Sequence, residues 1–182
     1  MNTSNRSSAI NRRHWIAAAV LTALICGTSF GEEAGSDAAV VAFEAALSKA
    51  EDGDPDAMVS LGFMYADGKG VIEDDKESAK WWRKAAELGN AKAMVFLGVM
   101  YAYGKGVIED DKEAVKWYRK AAELGDADAM FNLCVRYYLG EGVSQDYKQA
   151  VKWYSKAAEL GHKASIVSRT GGWPRRISHC KI

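Results

Sequence analysis

The sequence predicts an all-α solenoid of helix-turn-helix repeats, and three observations lead there. The stretch Lys-Trp-Tyr-Arg-Lys-Ala-Ala-Glu-Leu-Gly at Lys116 to Gly125 returns in near-identical form at Lys80 to Gly89 and at Lys152 to Gly161. Trp81, Trp117 and Trp153 lie 36 residues apart, and Gly89, Gly125 and Gly161 keep the same interval without an insertion. A fixed period of this length marks a repeat array. Each unit holds two helical patterns separated by a glycine turn, and such pairs bury their apolar faces by stacking on one another.

The first helix of unit one begins after Asp54-Pro55, a capping side chain followed by a proline suited to the first helical turn. Ala57, Leu61, Gly62 and Tyr65 share one helical face, repeated as Ala93, Leu97, Gly98 and Tyr101, and that face is expected to pack. A Gly-Lys-Gly-Val turn follows at Gly68 and Gly104, with Gly-Glu-Gly-Val at Gly140, and reverses the chain. The second helix opens with Asp74-x-x-Glu77, Asp110-x-x-Glu113 and Asp146-x-x-Gln149, where reciprocal capping boxes are expected. Trp81, Ala85 and Leu88 are read as its buried stripe, with Lys80, Arg83, Lys84 and Glu87 turned away and Gly89 ending the helix.

These residues resemble a known family. Ala-Met-x-x-Leu-Gly-x-x-Tyr, Gly-x-Gly-Val-x-x-Asp and Lys-Trp-Tyr-x-Lys-Ala-Ala-x-x-Gly are similar to the Sel1-like repeat, a longer relative of the tetratricopeptide repeat, over Asp54 to Gly161. The resemblance implies a right-handed α-solenoid, a tetratricopeptide-like superhelix, serving as a scaffold or adaptor whose partner differs from member to member. Its units are 54–89, 90–125 and 126–161.

The ends read differently. Arg6, Arg12 and Arg13 precede an apolar run from Trp15 to Ile25, and small and polar residues lead to Gly31, so 1–31 reads as a secretory signal peptide cleaved before Glu32. Ile25 is bulky where a lipoprotein signal needs a small residue, and Asn11-Arg12-Arg13 leaves a twin-arginine route open. Three basic and no acidic residues lie in 1–31, which leaves 21 basic against 24 acidic side chains, a net charge of −3. Nucleic acid is therefore not an expected partner, and no membrane attachment is expected once the signal is removed. Residues 32–37 read as a flexible arm, and 38–53 as a helix with Phe43, Ala46 and Leu47 on one side, aligned two periods before Ala114 to Gly125: an orphan second helix capping the array. At the far end Gly171-Gly172 and Pro174 break the fourth unit, so 162–182 reads as a degenerate repeat or tail, with a partial helix near Lys163 to Arg169. Unit three has drifted: Cys134 replaces Gly62 and Gly98, Arg136 replaces Met64 and Met100, and the thiol is expected to splay the last helix pair.

Nothing in the repeats suggests catalysis or a cofactor. The histidines are His14, His162 and His179, all outside the units, and no serine or cysteine stands beside a plausible base. The carboxylates Glu73, Asp74 and Asp75, repeated at Glu109, Asp110 and Asp111, are read as caps and solvated charges and not as a metal site. Cys134 and Cys180 permit a disulfide without implying one. Some secreted members of the resembled family carry a cysteine pair in every repeat and are linked to penicillin-like compounds. The resemblance therefore offers β-lactam binding or hydrolysis as an alternative, but the pairing is missing here.

The remaining surface lies on the first helices, opposite the repeat-defining face. There unit one offers Val59 and Phe63, unit two Val95, Val99 and Tyr103, and unit three Phe131, Val135 and Leu139, with Phe96 and Asn132 at the margin. A helix apolar all round is buried or binds something. Part of this stripe is expected to pack repeat on repeat. The rest is expected to line the concave side, with Asp56, Lys92 and Asp128 on the rim, and to receive a peptide segment of a partner protein. The sequence thus points to a periplasmic or secreted adaptor of the bacterial envelope, or to an effector that meets host proteins.

Overall fold

The computed structural model describes residues 33–161 as seven helices. They are α1 (Glu33–Glu51), α2 (Pro55–Asp67), α3 (Asp75–Glu87), α4 (Ala91–Tyr103), α5 (Asp111–Glu123), α6 (Ala127–Leu139) and α7 (Tyr147–Glu159). The chain divides between Ser36 and Asp37. Of the first unit only the helical residues 33–36 are described, and the second holds the whole repeat array. The signal-peptide and tail expectations, with His14, His162, His179 and Cys180, lie outside the described residues. α1 begins at Glu33 and not at Ala38, so it takes in most of the segment expected as an arm. Once a helix has nucleated, extending it by one residue is cheap, and Glu33 and Ala34 are good helix formers.

Each repeat is a helix pair, α2–α3, α4–α5 and α6–α7, and each element packs on the one after it from α2 onward, which makes an α-solenoid. The first helices start as the sequence requires. Asp54 caps α2 by accepting from the amides of Asp56 and Ala57, with Pro55 in the first turn, and Asn90 and Asp126 accept from Ala93 and Ala129. All three end on a glycine in the left-handed region: Gly68 has φ +66° and its amide donates to the Met64 carbonyl. The second glycine of the turn is needed for a different reason. A Cβ on Gly106 would lie 2.1 Å from the Asp75 carbonyl oxygen, on Gly142 2.1 Å from that of Asp111, and on Gly70 2.2 Å from that of Ala39. Those three carbonyls are 36 residues apart, so α1 stands before unit one as α3 stands before unit two.

The second helices carry half of the expected capping box. Asp74 accepts from the amides of Lys76 and Glu77, and Asp110 from those of Lys112 and Glu113, at 2.8–3.1 Å. The reciprocal bond from the Glu at the third position is not made. The Asp74 and Asp110 amides already donate to the Tyr65 and Tyr101 carbonyls, both at 2.9 Å, and Glu77 and Glu113 instead pair with Lys80 and Lys116.

The buried stripe of α3 is also turned from its expected place. Ser78, Ala79, Trp82, Ala85 and Ala86 are buried, whereas Trp81 is half-buried under the Lys84 ammonium at 3.9 Å, and Leu88, past the helix end, is 58% exposed. Of two adjacent tryptophans about 100° apart around a helix, the one facing α2 is buried, and Gly62 makes the room for it. Trp82 donates to the Val59 carbonyl at 3.1 Å, and Ser78 donates to the Gly62 carbonyl at 2.7 Å. In unit two Tyr118 takes the place of Trp82 against Gly98. Arg83 and Arg119 reach forward to the hydroxyls of Tyr101 and Tyr137 in the next unit, at 2.7 and 2.8 Å.

The expected splay of the third pair does not occur: α6 and α7 pack as closely as the earlier pairs. Cys134 is fully buried, and Tyr154, in the place of Trp82 and Tyr118, is half-buried.

Candidate functional site

The repeat-defining faces of α2, α4 and α6 are spent on the core: Leu61, Leu97 and Leu133 are fully buried, as are Ala93 and Ala129. The opposite face is graded. Val95 is buried, so it belongs to the core and not to an accessible stripe, and Val59, Val99 and Phe131 are half-buried against that core. Phe96, Asn132 and Val135 are also half-buried. Phe63, Tyr103 and Leu139 are open to solvent, at 40%, 68% and 50% of their surface.

Two separate hollows flank the half-buried middle. The first, of about 340 Å³, lies toward the starts of the first helices and is lined by Val59, Ser60, Phe63, Lys92, Val95, Phe96, Asp126 and Asp128. Its apolar wall is a packed aromatic cluster: Phe63 meets Phe96 edge-on at 4.7 Å and Trp82 at 5.3 Å, and Trp82 lies 5.0 Å from Phe96. Such pairs add about 0.5–1.5 kcal/mol beyond simple burial, so this wall is preformed. Asp56 is held by a 2.9 Å bond donated by the Asn90 side-chain Nδ2.

The second hollow, of about 260 Å³, lies toward the ends of α4 and α6 and is lined by Ala102, Tyr103, Glu109, Asp111, Val135, Arg136, Leu139 and Glu141. Arg136, whose side chain is only 9% exposed, donates to Asp111 across the repeat boundary at 2.9 Å and also to Glu141. The guanidinium lies beside Tyr118, whose hydroxyl is pushed up to about 12, chiefly by burial. Sequence reasoning noted Arg136 as drift but missed its pairing. The signal was there: within the one repeat where Met becomes Arg136, the lysine of the turn (Lys69, Lys105) becomes Glu141.

Burial pushes the Cys134 thiol up to about 12, far from a reactive thiolate. Among the described residues there is no histidine and no group of three or more metal-ligating side chains, and no helix is long and apolar enough to cross a membrane.

Comparison with known proteins agrees with this architecture. The family model described as Sel1 repeat matches residues 55–90, 91–126 and 127–162. No curated protein matches the chain. Among solved structures it is similar to a Sel1 repeat protein from Oxalobacter formigenes, with 40% identity and a TM-score of 0.59, over 62% of this chain and 46% of that one. It is likewise similar to c5321, a protective antigen of uropathogenic Escherichia coli strains, with 40% identity and a TM-score of 0.66, over 68% and 26% of the two chains. Helicobacter pylori cysteine rich protein B is similar at 28% identity and a TM-score of 0.57, over 70% and 94%. The chain thus spans less than half the length of the first two.

Proposed function

Because the chain belongs to the Sel1 repeat family, whose members are generally non-catalytic solenoids that mediate protein–protein interactions, we propose that it is an exported protein-binding scaffold. In this reading the segment 1–31 directs export, the mature chain starts at Glu32 in the periplasm or outside the cell, and a protein or peptide partner is taken on the first-helix face. The observation that carries the reading is the exposure of Phe63, Tyr103 and Leu139 beside two preformed hollows. On a surface helix with no partner those positions would be polar. The second helices are the contrast: their outward side carries Lys80, Arg83, Lys84 and Glu87.

The test is capture from a bacterial envelope extract by the immobilised mature chain and by its Phe63→Glu and Tyr103→Glu variants. Loss of a captured band in either variant, with helix content unchanged, is the expected result. A band retained in both variants and lost on replacing Lys80 and Lys116 refutes the first-helix face. For export, N-terminal sequencing of protein recovered outside the cytoplasm should begin at Glu32, and an intact Met1 there sinks that part.

A further inference from the structure

The hollow between units two and three differs in kind from its counterpart one repeat earlier. Moving back 36 residues turns Tyr103 into Asp67, Leu139 into Tyr103, Arg136 into Met100 and Glu141 into Lys105, and leaves Glu109 and Asp111 as Glu73 and Asp75. Both junctions carry three carboxylates and one cation, but the cation has changed depth. In the earlier junction it is the exposed Lys105 on the rim; in the later one it is Arg136, buried beneath Asp111 and Glu141. The later hollow therefore shows its negative charge outward. Glu109 is exposed and joins no ion pair among the described residues, and the Glu141 side chain keeps 43% of its surface in solvent. Beside these carboxylates stand the exposed Tyr103 ring and Leu139.

We infer that this hollow binds a peptide segment in which an arginine or lysine adjoins an aliphatic residue, the aliphatic side chain against Tyr103, Val135 and Leu139 and the cation at Glu109 and Glu141. The inference rests on the scaffold reading above and supplies its partner chemistry. Charge complementarity selects the occupant: carboxylates facing outward attract a cation and repel an anion, and charge-assisted bonds to them are the strong kind. Size agrees. About 260 Å³ falls below the usual range of small-molecule pockets, roughly 300–1,000 Å³, and suits one or two side chains of a peptide whose backbone stays outside. The buried Arg136 holds Asp111 and Glu141 in place, so the rim is set before the ligand arrives.

The test is fluorescence anisotropy on the full mature chain with the labelled peptide Gly-Ser-Arg-Leu-Arg-Leu-Gly, against versions with Glu for Arg and Ser for Leu. Saturable one-to-one binding is expected for the first peptide alone, weakening as salt rises from about 50 to about 300 mM. Glu109→Lys and Tyr103→Ser, both at exposed positions, should each weaken it about tenfold, while Lys80→Ala on the outward side of the second helix of unit one leaves it unchanged. Equal binding of the Glu peptide, or indifference to both variants in chains of normal helix content, overturns the inference. The competing occupant is the chain's own segment 162–182, which carries Lys163, Arg169, Arg175, Arg176 and Lys181 and no acidic residue. If Arg175→Glu with Arg176→Glu raises the affinity for the probe fivefold or more, that segment holds the site and the partner assignment falls. Envelope capture separates this idea from the broader one: capture lost in Phe63→Glu and kept in Tyr103→Ser removes the hollow and leaves the scaffold, whereas capture kept in both removes the first-helix face, this hollow included.

Discussion

Replacing Gly62 with alanine sets two known effects against each other, and the structure decides the sign. In a helix interior alanine is favoured over glycine by about 1 kcal/mol, so an unobstructed change would stabilise α2. Here the new Cβ would lie 2.1 Å from Trp82 Nε1, 2.4 Å from its Cδ1 and 2.6 Å from its Cε2. The ring cannot retreat freely, because its Nε1 donates to the Val59 carbonyl at 3.1 Å and Phe63 and Phe96 stand against it. Overpacking costs about 1–3 kcal/mol and the strained hydrogen bond about 1 kcal/mol more. The net expectation is destabilisation by about 1–3 kcal/mol after the propensity gain is subtracted. In a Trp82→Ala background the obstruction is gone and the same change should stabilise by about 1 kcal/mol, a coupling of about 2–4 kcal/mol in the double-mutant cycle. Urea unfolding of the full chain followed by far-UV circular dichroism measures all four corners, provided the slopes agree. If Gly62→Ala stabilises the wild-type chain, or shifts both backgrounds equally, the argument that glycine is there to seat the tryptophan is wrong.

Further expectations follow from the same packing. Tyr118→Ala, at a position 1% exposed, should cost about 3–5 kcal/mol. Trp117→Ala, at a half-buried ring covered by the Lys120 ammonium at 4.2 Å, should cost less, and Asp110→Ala about 1 kcal/mol through its two lost capping bonds; urea midpoints rank the three, and a Trp117 cost above that of Tyr118 refutes the burial assignment. Arg136→Ala should cost about 2–5 kcal/mol, chiefly by emptying a buried site, because Asp111 and Glu141 keep 33% and 43% of their side chains in solvent and lose little as exposed charges, whereas Arg136→Met with Glu141→Lys, the residues of unit two, should stay within about 1.5 kcal/mol of wild type; equal losses would show that the ion pairs, and not the filled volume, carry the stability. Burial pushes Cys134 up from 9.0 and Tyr118 up from 10.0, both to about 12. The folded chain therefore holds protons that the unfolded chain releases, so stability is full below about pH 9 and falls as pH rises toward 12. Urea midpoints taken across this range should show a later onset of the fall in Cys134→Ala.

The sequence by itself determined the solenoid, because its causes are local and periodic. Asp54, Asn90 and Asp126 cap helices from one side, Gly68, Gly104 and Gly140 end them from the other, and a period of 36 without an insertion leaves stacking as the way to bury Leu61, Leu97 and Leu133. Cap, turn and heptad-scale pattern each depend on residues a few positions apart, so all three can be read from the chain. What only the tertiary structure decided depends on neighbours in other elements of the fold. Which of Trp81 and Trp82 is buried depends on Gly62 of the facing helix, and the missing half of the capping box depends on the Tyr65 carbonyl having taken the amide first. The candidate site followed the same division. The apolar character of the first-helix face was legible from Phe63, Val99, Tyr103 and Leu139, but its separation into a buried Val95, a half-buried middle and two hollows was not. Burial is a property of what stands opposite, and the single cation of the second hollow could be placed beneath its rim only once Asp111 of unit two and Glu141 of unit three were brought to the same guanidinium.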